Sequence, residues 1–187
     1  EISMKIYKGI TIEGEGIEVS VEGEKIKSVK SIPVTNKLPL IAVPLVDCQN
    51  NGALGYGYNS CYKTIDKIPV MVDFYRSHGV GKMLMTTTTC PPEHLIKSGK
   101  ALSKLLEDNK DIESFYPGVF HEGIFMSKQD GWRGAHSLKH VKDPDYKLFK
   151  KINEAFDNRI KMVNIAPEEP GGMKFVEKAV ADGIIVS

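Results

Sequence analysis

The stretch Tyr116–His136, YPGVFHEGIFMSKQDGWRGAH, sets a carboxylate, Glu122, directly after an apolar run and follows it with glycines, a tryptophan and a histidine. A carboxylate in such a place can complete a zinc or iron site with two imidazoles. The plain alternative is a charge that caps a loop or pairs with a lysine. Five histidines are available as partners: His78, His94, His121, His136 and His140. His121 adjoins Glu122, and neighbours on a strand point to opposite faces, so both enter one site only if the strand has ended there. The segment HSLKH, from His136 to His140, has the i, i+4 spacing of a metal pair on a helix but lacks the intervening glutamate. A second candidate is DCQNNGALGYGYNS, Asp47–Ser60, whose glycines, asparagines and tyrosines suit a small polar ligand or an ordinary turn. It does not match a phosphate-binding fingerprint. Thr86–Thr89 offer hydroxyls, although β propensity explains such a run as well. Glu168 and Glu169 fit general acid/base work or, more simply, compensation of a helix N-terminus.

The elements that must position these groups follow from apolar periodicity. Residues 4–32 alternate apolar and polar positions between EGEG and EGEK turns, which predicts a small antiparallel β unit. The first three residues read as an addition ahead of Met4. From Leu40 the rhythm changes to apolar runs separated by helix-period segments. The spacing predicts a strand at LIAVPLVDC, a helix from about Lys63 to Ser77 closed by Gly79, and a strand at KMLMTTTT. A helix over PPEHLIKSGKALSKLLED and a third strand at SFYPGVF follow. Then come a helix over Asp145–Phe156, a strand at RIKMVNIA, a helix over PGGMKFVEKAVADG and a last strand at IIVS. Alternation of this kind implies right-handed crossovers and a parallel sheet, either open and doubly wound or closed into a barrel. In both, ligands gather at the C-terminal ends of the strands, so the loops after Val46, Thr86, Phe120 and Ile165 should share one rim. An apolar terminal strand with no helix after it leaves its edge uncovered. This predicts that the residues are the first part of a longer polypeptide or that another chain completes the sheet.

Composition narrows the function classes. The 187 residues carry 25 Lys plus Arg against 24 Asp plus Glu, a net charge of +1, so no global field draws in nucleic acid or an anionic membrane. Three cysteines without a Cys-x-x-Cys pair make no disulfide framework and point to a reducing cytoplasm. The longest apolar run, LPLIAVPLV, is interrupted by prolines and falls short of the about 20 residues that a spanning helix needs.

Taken in order, these pieces resemble the N-acetylglucosamine-6-phosphate deacetylase family of the amidohydrolase superfamily. VPLVDCQNNGALGYGYN looks like its first barrel strand and glycine-rich loop, HGVGKMLMTTTTCPPE like its second strand, and GVFHEGIFMS like its His-Leu-Glu-Gly-Pro-Phe segment. RGAH looks like its Gly-Ala-His and IKMVNIAPEEPGG like its Leu-Ala-Pro-Glu segment. The resemblance implies a (β/α)8 TIM-barrel fold, here about the first half of the barrel over residues 40–187, preceded by part of a small β-sandwich domain over residues 1–39. It implies deacetylation of an N-acetylated amino-sugar phosphate, in which N-acetylglucosamine 6-phosphate yields glucosamine 6-phosphate and acetate. It further implies one divalent metal ion, zinc or else iron, and a homodimer. By position, Glu122 corresponds to the metal-binding glutamate and His136 to the substrate-binding histidine. Gln49 and Asn51 line the site where many amidohydrolases carry a His-x-His pair. The expected acid/base aspartate lies beyond residue 187, so no catalytic residue is assigned.

Several positions depart from the family pattern. Phe120 stands where the family has a histidine, His121 where it has leucine and Ile124 where it has proline. GVGK replaces Gly-Val-Thr-Ser, and Pro44 runs into Leu45 without the usual glycine. These departures motivate an alternative: a non-catalytic or divergent amidohydrolase-fold protein that binds a sugar or a partner protein.

Overall fold

The computed structural model describes residues 3–187. Residues 1 and 2, part of the segment read as an addition ahead of Met4, lie outside the described residues. The chain forms two compact units, Glu1–Pro44 and Leu45–Ser187.

The first unit is an antiparallel sheet of β1 (Met4–Ile10), β2 (Gly16–Glu22) and β3 (Lys25–Ser31) in that order. Its turns are tight because Gly14 and Gly23 adopt positive φ, which glycine reaches without steric cost. The chain then returns alongside β1. Ile10 donates its N–H to Pro39 O and accepts from Ile41 N–H, both at 2.8 Å, which keeps the segment through Pro44 with this sheet.

The second unit begins with β4 (Leu45–Asn50) and a small ribbon of β5 (Gly52–Ala53) and β6 (Tyr56–Gly57). Two 3-10 turns, Cys61–Lys63 and Ile65–Lys67, precede α1 (Ile68–Ser77). The helix expected from Lys63 thus starts later. Pro69 lacks an N–H and is tolerated only in a first turn, so it marks the start rather than the interior. After Gly79, at φ +85°, come β7 (Val80–Thr87) and α2 (Pro92–Asp108). A helix absent from the expectation, α3 (Lys110–Phe115), takes up the start of the anticipated SFYPGVF strand. Asn109 caps it by accepting the Ile112 N–H at 3.1 Å. Then follow β8 (Gly118–Glu122), α4 (Tyr146–Ala155) capped by Asp145, β9 (Ile160–Asn164), α5 (Gly172–Ala181) and β10 (Ile185–Val186).

Strands β4, β7, β8, β9 and β10 form one parallel sheet in sequential order. Since parallel crossovers are right-handed and this order never reverses, the sheet has no switch point of the doubly wound kind. Between the strands, helix pairs α1 with α3, α2 with α3, α2 with α4, and α4 with α5 pack side by side. The core joins Leu95, Leu102, Phe125, Phe149 and Phe175 to the strand residues Met85, Val119, Ile160 and Val163. The Phe175 ring contacts those of Phe125 and Phe149, with centroids 5.1 and 5.3 Å apart. Among the described residues no helix is long and apolar enough to cross a membrane.

Candidate functional site

Because the strands are parallel, their C-terminal ends lie along one edge of the sheet, and the loops leaving that edge bring distant residues together. Glu122 is the last residue of β8 and pairs in register with Asn164 of β9. At Gly123, the next residue, a Cβ would lie 2.6 Å from Asn164 O, so no larger residue fits without movement.

Three of the four sequence-predicted site residues meet here. Asn51, from the loop after β4, donates its amide Nδ2–H to Glu122 Oε2 at 3.3 Å and approaches Thr86 O at 3.4 Å. His136 reaches in from the loop between β8 and α4, with Nε2 3.9 Å from Glu122 Oε1. Both side chains are largely covered, at 15% exposure for His136 and 22% for Glu122. The fourth residue, Gln49, stands apart. Its backbone N–H donates to Asp47 Oδ1 at 3.0 Å, and among the described residues no hydrogen bond joins its exposed side chain to Glu122 or His136.

A second layer of hydrogen bonds holds these groups. Tyr75 donates its hydroxyl toward Asn50 Oδ1 at 2.7 Å and Gly52 O at 2.8 Å, and Asn50 N–H donates to Thr86 Oγ1 at 2.9 Å, fixing the loop that carries Asn51. Asn59 and Thr88 bind each other through two bonds of 2.7 Å. Thr89 Oγ1 lies between Gly123 O and His136 Nδ1, the latter at 2.8 Å. Arg133 Nη1 donates to His136 O at 2.6 Å and Nη2 to Asp130 Oδ1 at 2.5 Å. Thr88 and Thr89 belong to the run whose hydroxyls the sequence offers, but the expected strand runs through all four threonines. β7 in fact ends at Thr87, which releases the last two into the site loop.

The other histidines serve structure. His121 is fully buried, with Nδ1 2.8 Å from Thr87 Oγ1 and the ring edge-on to Phe125, while Nε2 has no hydrogen-bond partner. Burial holds its imidazole down to about 4, so it is neutral at pH 7. His78 closes α1 with Nδ1 2.7 Å from Phe74 O, and His94 lies against Tyr62. His136 and His140 do not form the helical pair that their spacing allowed. Residues 129–140 fold as successive turns, with Gly131 and Gly134 at positive φ. Glu168 and Glu169 line a shallow pocket with Ser127, Gln129 and Trp132, ahead of α5.

Among the described residues no group of three or more His, Cys, Asp or Glu side chains converges as a metal site. Glu122 and His136 offer two donors, and catalytic zinc takes three from protein. The residues present therefore do not by themselves fit a resident metal ion.

No family model matches the chain. It is 38% identical over 78 residues to an N-acetylglucosamine-6-phosphate deacetylase of Lysinibacillus sphaericus, a match that covers 42% of this chain and 20% of that protein. It aligns over its whole length, at 26% identity, with 46% of the N-acetylglucosamine-6-phosphate deacetylase of Bacillus subtilis (strain 168). The chain resembles these deacetylases. Solved structures agree on the fold. A mutant deacetylase of Mycobacterium smegmatis, in complex with N-acetyl-D-glucosamine-6-phosphate, superposes with TM-score 0.80 at 19% identity, over 98% of this chain and 49% of that one. The Thermotoga maritima deacetylase gives 0.76 at 24% identity, over 99% and 48%. The chain thus spans about half the length of the deacetylases that it matches from end to end.

Proposed function

We propose that this chain contributes one side of the active site of a deacetylase that hydrolyses N-acetylglucosamine 6-phosphate to glucosamine 6-phosphate and acetate. The observation that carries the reading is the convergence of Glu122, Asn51 and His136 at the C-terminal edge of a sequential parallel sheet. In this reading the sheet is the first part of a (β/α)8 barrel and the antiparallel unit is part of a small β-sandwich. The reaction adds water to the amide carbonyl. The C–N bond breaks, hydroxide oxygen stays with the acetyl group and a proton goes to the leaving nitrogen. Asn51 orients the Glu122 carboxylate, and His136 stands beside it to bind the sugar. No acid/base is assigned among these residues.

One divalent ion, zinc or else iron, belongs to the proposal with Glu122 as a donor, and its remaining donors would come from outside the described residues. A cytoplasmic location and a homodimer are further parts of the same proposal.

A second reading, a non-catalytic or divergent relative that binds a sugar or a partner protein, is favoured by Phe120 and Ile124. Both are buried hydrophobics at positions where the family pattern has His and Pro. Acetate release from N-acetylglucosamine 6-phosphate in excess zinc separates the two when it is measured on a protein that supplies the remaining metal donors and the acid/base together with this chain, since these 187 residues alone are expected to be inactive. Turnover is expected to fall at least about a hundredfold in Glu122→Gln, since even residues supporting a metal ligand cost 10–100-fold. Undiminished turnover in Glu122→Gln would sink the assignment of Glu122. Sugar-phosphate binding without acetate release would establish the second reading.

A further inference from the structure

We propose that the pocket between the loops after β8 and β9 binds a small organic cation that carries a primary ammonium and a hydroxyl group, as an amino alcohol or an unphosphorylated amino sugar does. The pocket has a volume of about 590 Å³, inside the roughly 300–1,000 Å³ of small-molecule sites, and is lined by Ser127, Gln129, Trp132, Glu168 and Glu169. Backbone hydrogen bonds hold its walls. Ala166 N–H donates to Phe125 O at 2.8 Å and so ties one loop to the other. Arg133 N–H to Gln129 O at 3.0 Å closes the turn that carries Trp132, and Glu169 N–H to Ala166 O at 3.2 Å closes the one that carries Glu168.

Each wall asks for a different part of the ligand. Trp132 is 73% exposed, and an indole face attracts a cation better than the other aromatic side chains do. Among the described residues the Glu168 and Glu169 carboxylates have no ion-pair or hydrogen-bond partner. The flanking cations are taken: Lys128 is bound to Asp143 at 2.6 Å and feels Glu169 only at longer range, and Arg133 is bound to Asp130 at 2.5 Å. Two such carboxylates beside an indole accept the hydrogens of an ammonium group in charge-assisted bonds, whereas a phosphate meets like charge. Ser127 adds a requirement of its own. It is 8% exposed, its oxygen accepts the Gln129 N–H at 3.3 Å, and among the described residues no acceptor takes its hydroxyl hydrogen. A buried hydroxyl is costly to leave with its hydrogen unspent, and a hydroxyl oxygen on the ligand receives it.

The chain has one tryptophan, so its intrinsic fluorescence reports this pocket alone. Glucosamine and ethanolamine, titrated without zinc slightly below neutral pH, represent the ring and open-chain forms of the ligand. Glucose, N-acetylglucosamine and glucosamine 6-phosphate are the comparisons, and saturation-transfer NMR on the same mixtures detects binding that leaves the emission unchanged. At least one of the two amines should change the emission saturably. The three comparison compounds should do so at least about tenfold more weakly, and the double variant Glu168→Gln, Glu169→Gln should weaken the amine by about tenfold or more. A response to only one amine assigns the ring or the open-chain form, and a response to both assigns the shared ammonium and hydroxyl. An equal emission response to glucose or N-acetylglucosamine overturns the proposal. So do full affinity in the double variant, binding without a change of emission, or no binding of either amine by about 10 mM. The proposal does not rest on the deacetylase reading: nothing is turned over in this experiment, so either test can fail while the other stands.

Discussion

The two sheets differ in pattern and in covering: the antiparallel strands alternate apolar and polar positions and leave apolar residues exposed, whereas the inner strands of the parallel sheet are apolar runs that are largely buried. In the parallel sheet Met83, Met85, Val119 and Val163 are buried with Leu95, Phe149 and Phe175 of the helices, whereas Ile6, Tyr7, Ile26 and Val29 of the antiparallel sheet are exposed. The difference lies in the connections. A parallel crossover must carry the chain back along the sheet, and the returning segment is the helix that covers it. An antiparallel turn as tight as the one at Gly23 returns the chain at once and leaves nothing to lie over the strands. A two-residue period therefore tells which side chains share a face, and the connections tell whether that face is covered.

The largest expected effect uses this contrast directly. Phe149 is fully buried against Phe175 and Tyr146, so Phe149→Ala should cost about 3–5 kcal/mol in lost contacts and residual cavity. Ile26, 67% exposed, should change stability by no more than about 0.5 kcal/mol as Ile26→Ala. Urea unfolding at neutral pH measures both. A comparable loss from Ile26→Ala would mean that the antiparallel face is covered in solution, and the comparison would break.

Acid should separate the regions next. His121 is held neutral by burial, with its pKa lowered from 6.5 to about 4. Between these values the unfolded chain binds the proton and the folded chain does not. Its contribution is thus fully present above about pH 6.5, declines as pH falls and is lost by about pH 4, roughly 3 kcal/mol in all. Carboxylates titrate over part of the same range, so the informative quantity is the difference between the unsubstituted chain and His121→Leu. The variant should show a flatter loss of stability over that window, and equal slopes would remove His121 as the cause.

The sequence made some of this legible and hid the rest for physical reasons. Apolar spacing marks α2 and α4 because one face of each is buried, and Gly79 marks the end of α1 because its φ is positive. The register of the parallel sheet is not written in any local pattern, yet it alone brings Asn51 to Glu122, 71 residues away. Glu122 was visible as a carboxylate ending an apolar run, whereas Gln49, equally prominent in the sequence, is exposed in β4 and makes no hydrogen bond to Glu122 or His136 among the described residues. The threonine run misled because β propensity does not say where pairing stops. Thr87 remains in the sheet beside His121, while Thr89 bonds to His136. His136 and His140 fit a helix by spacing, but Gly131 and Gly134 at positive φ turn the preceding chain into a loop.

The smallest effect should be the one on which the two regions agree. Each carries a close surface ion pair: Lys27 with Glu22 at 2.6 Å in the antiparallel sheet, and Lys150 with Asp182 at 3.2 Å between α4 and the end of α5. In both pairs every side chain is more than a third exposed, so water and salt screen the attraction and ordering two long side chains offsets most of it. Lys27→Ala and Lys150→Ala should each leave the urea midpoint within the scatter of repeated titrations, and raising the salt should change neither result. If Lys150→Ala alone were costly, the surface of the α/β unit would differ from that of the antiparallel sheet as its interior does. If both are silent, the difference between the regions resides in the covered apolar faces, where the crossover helices put it.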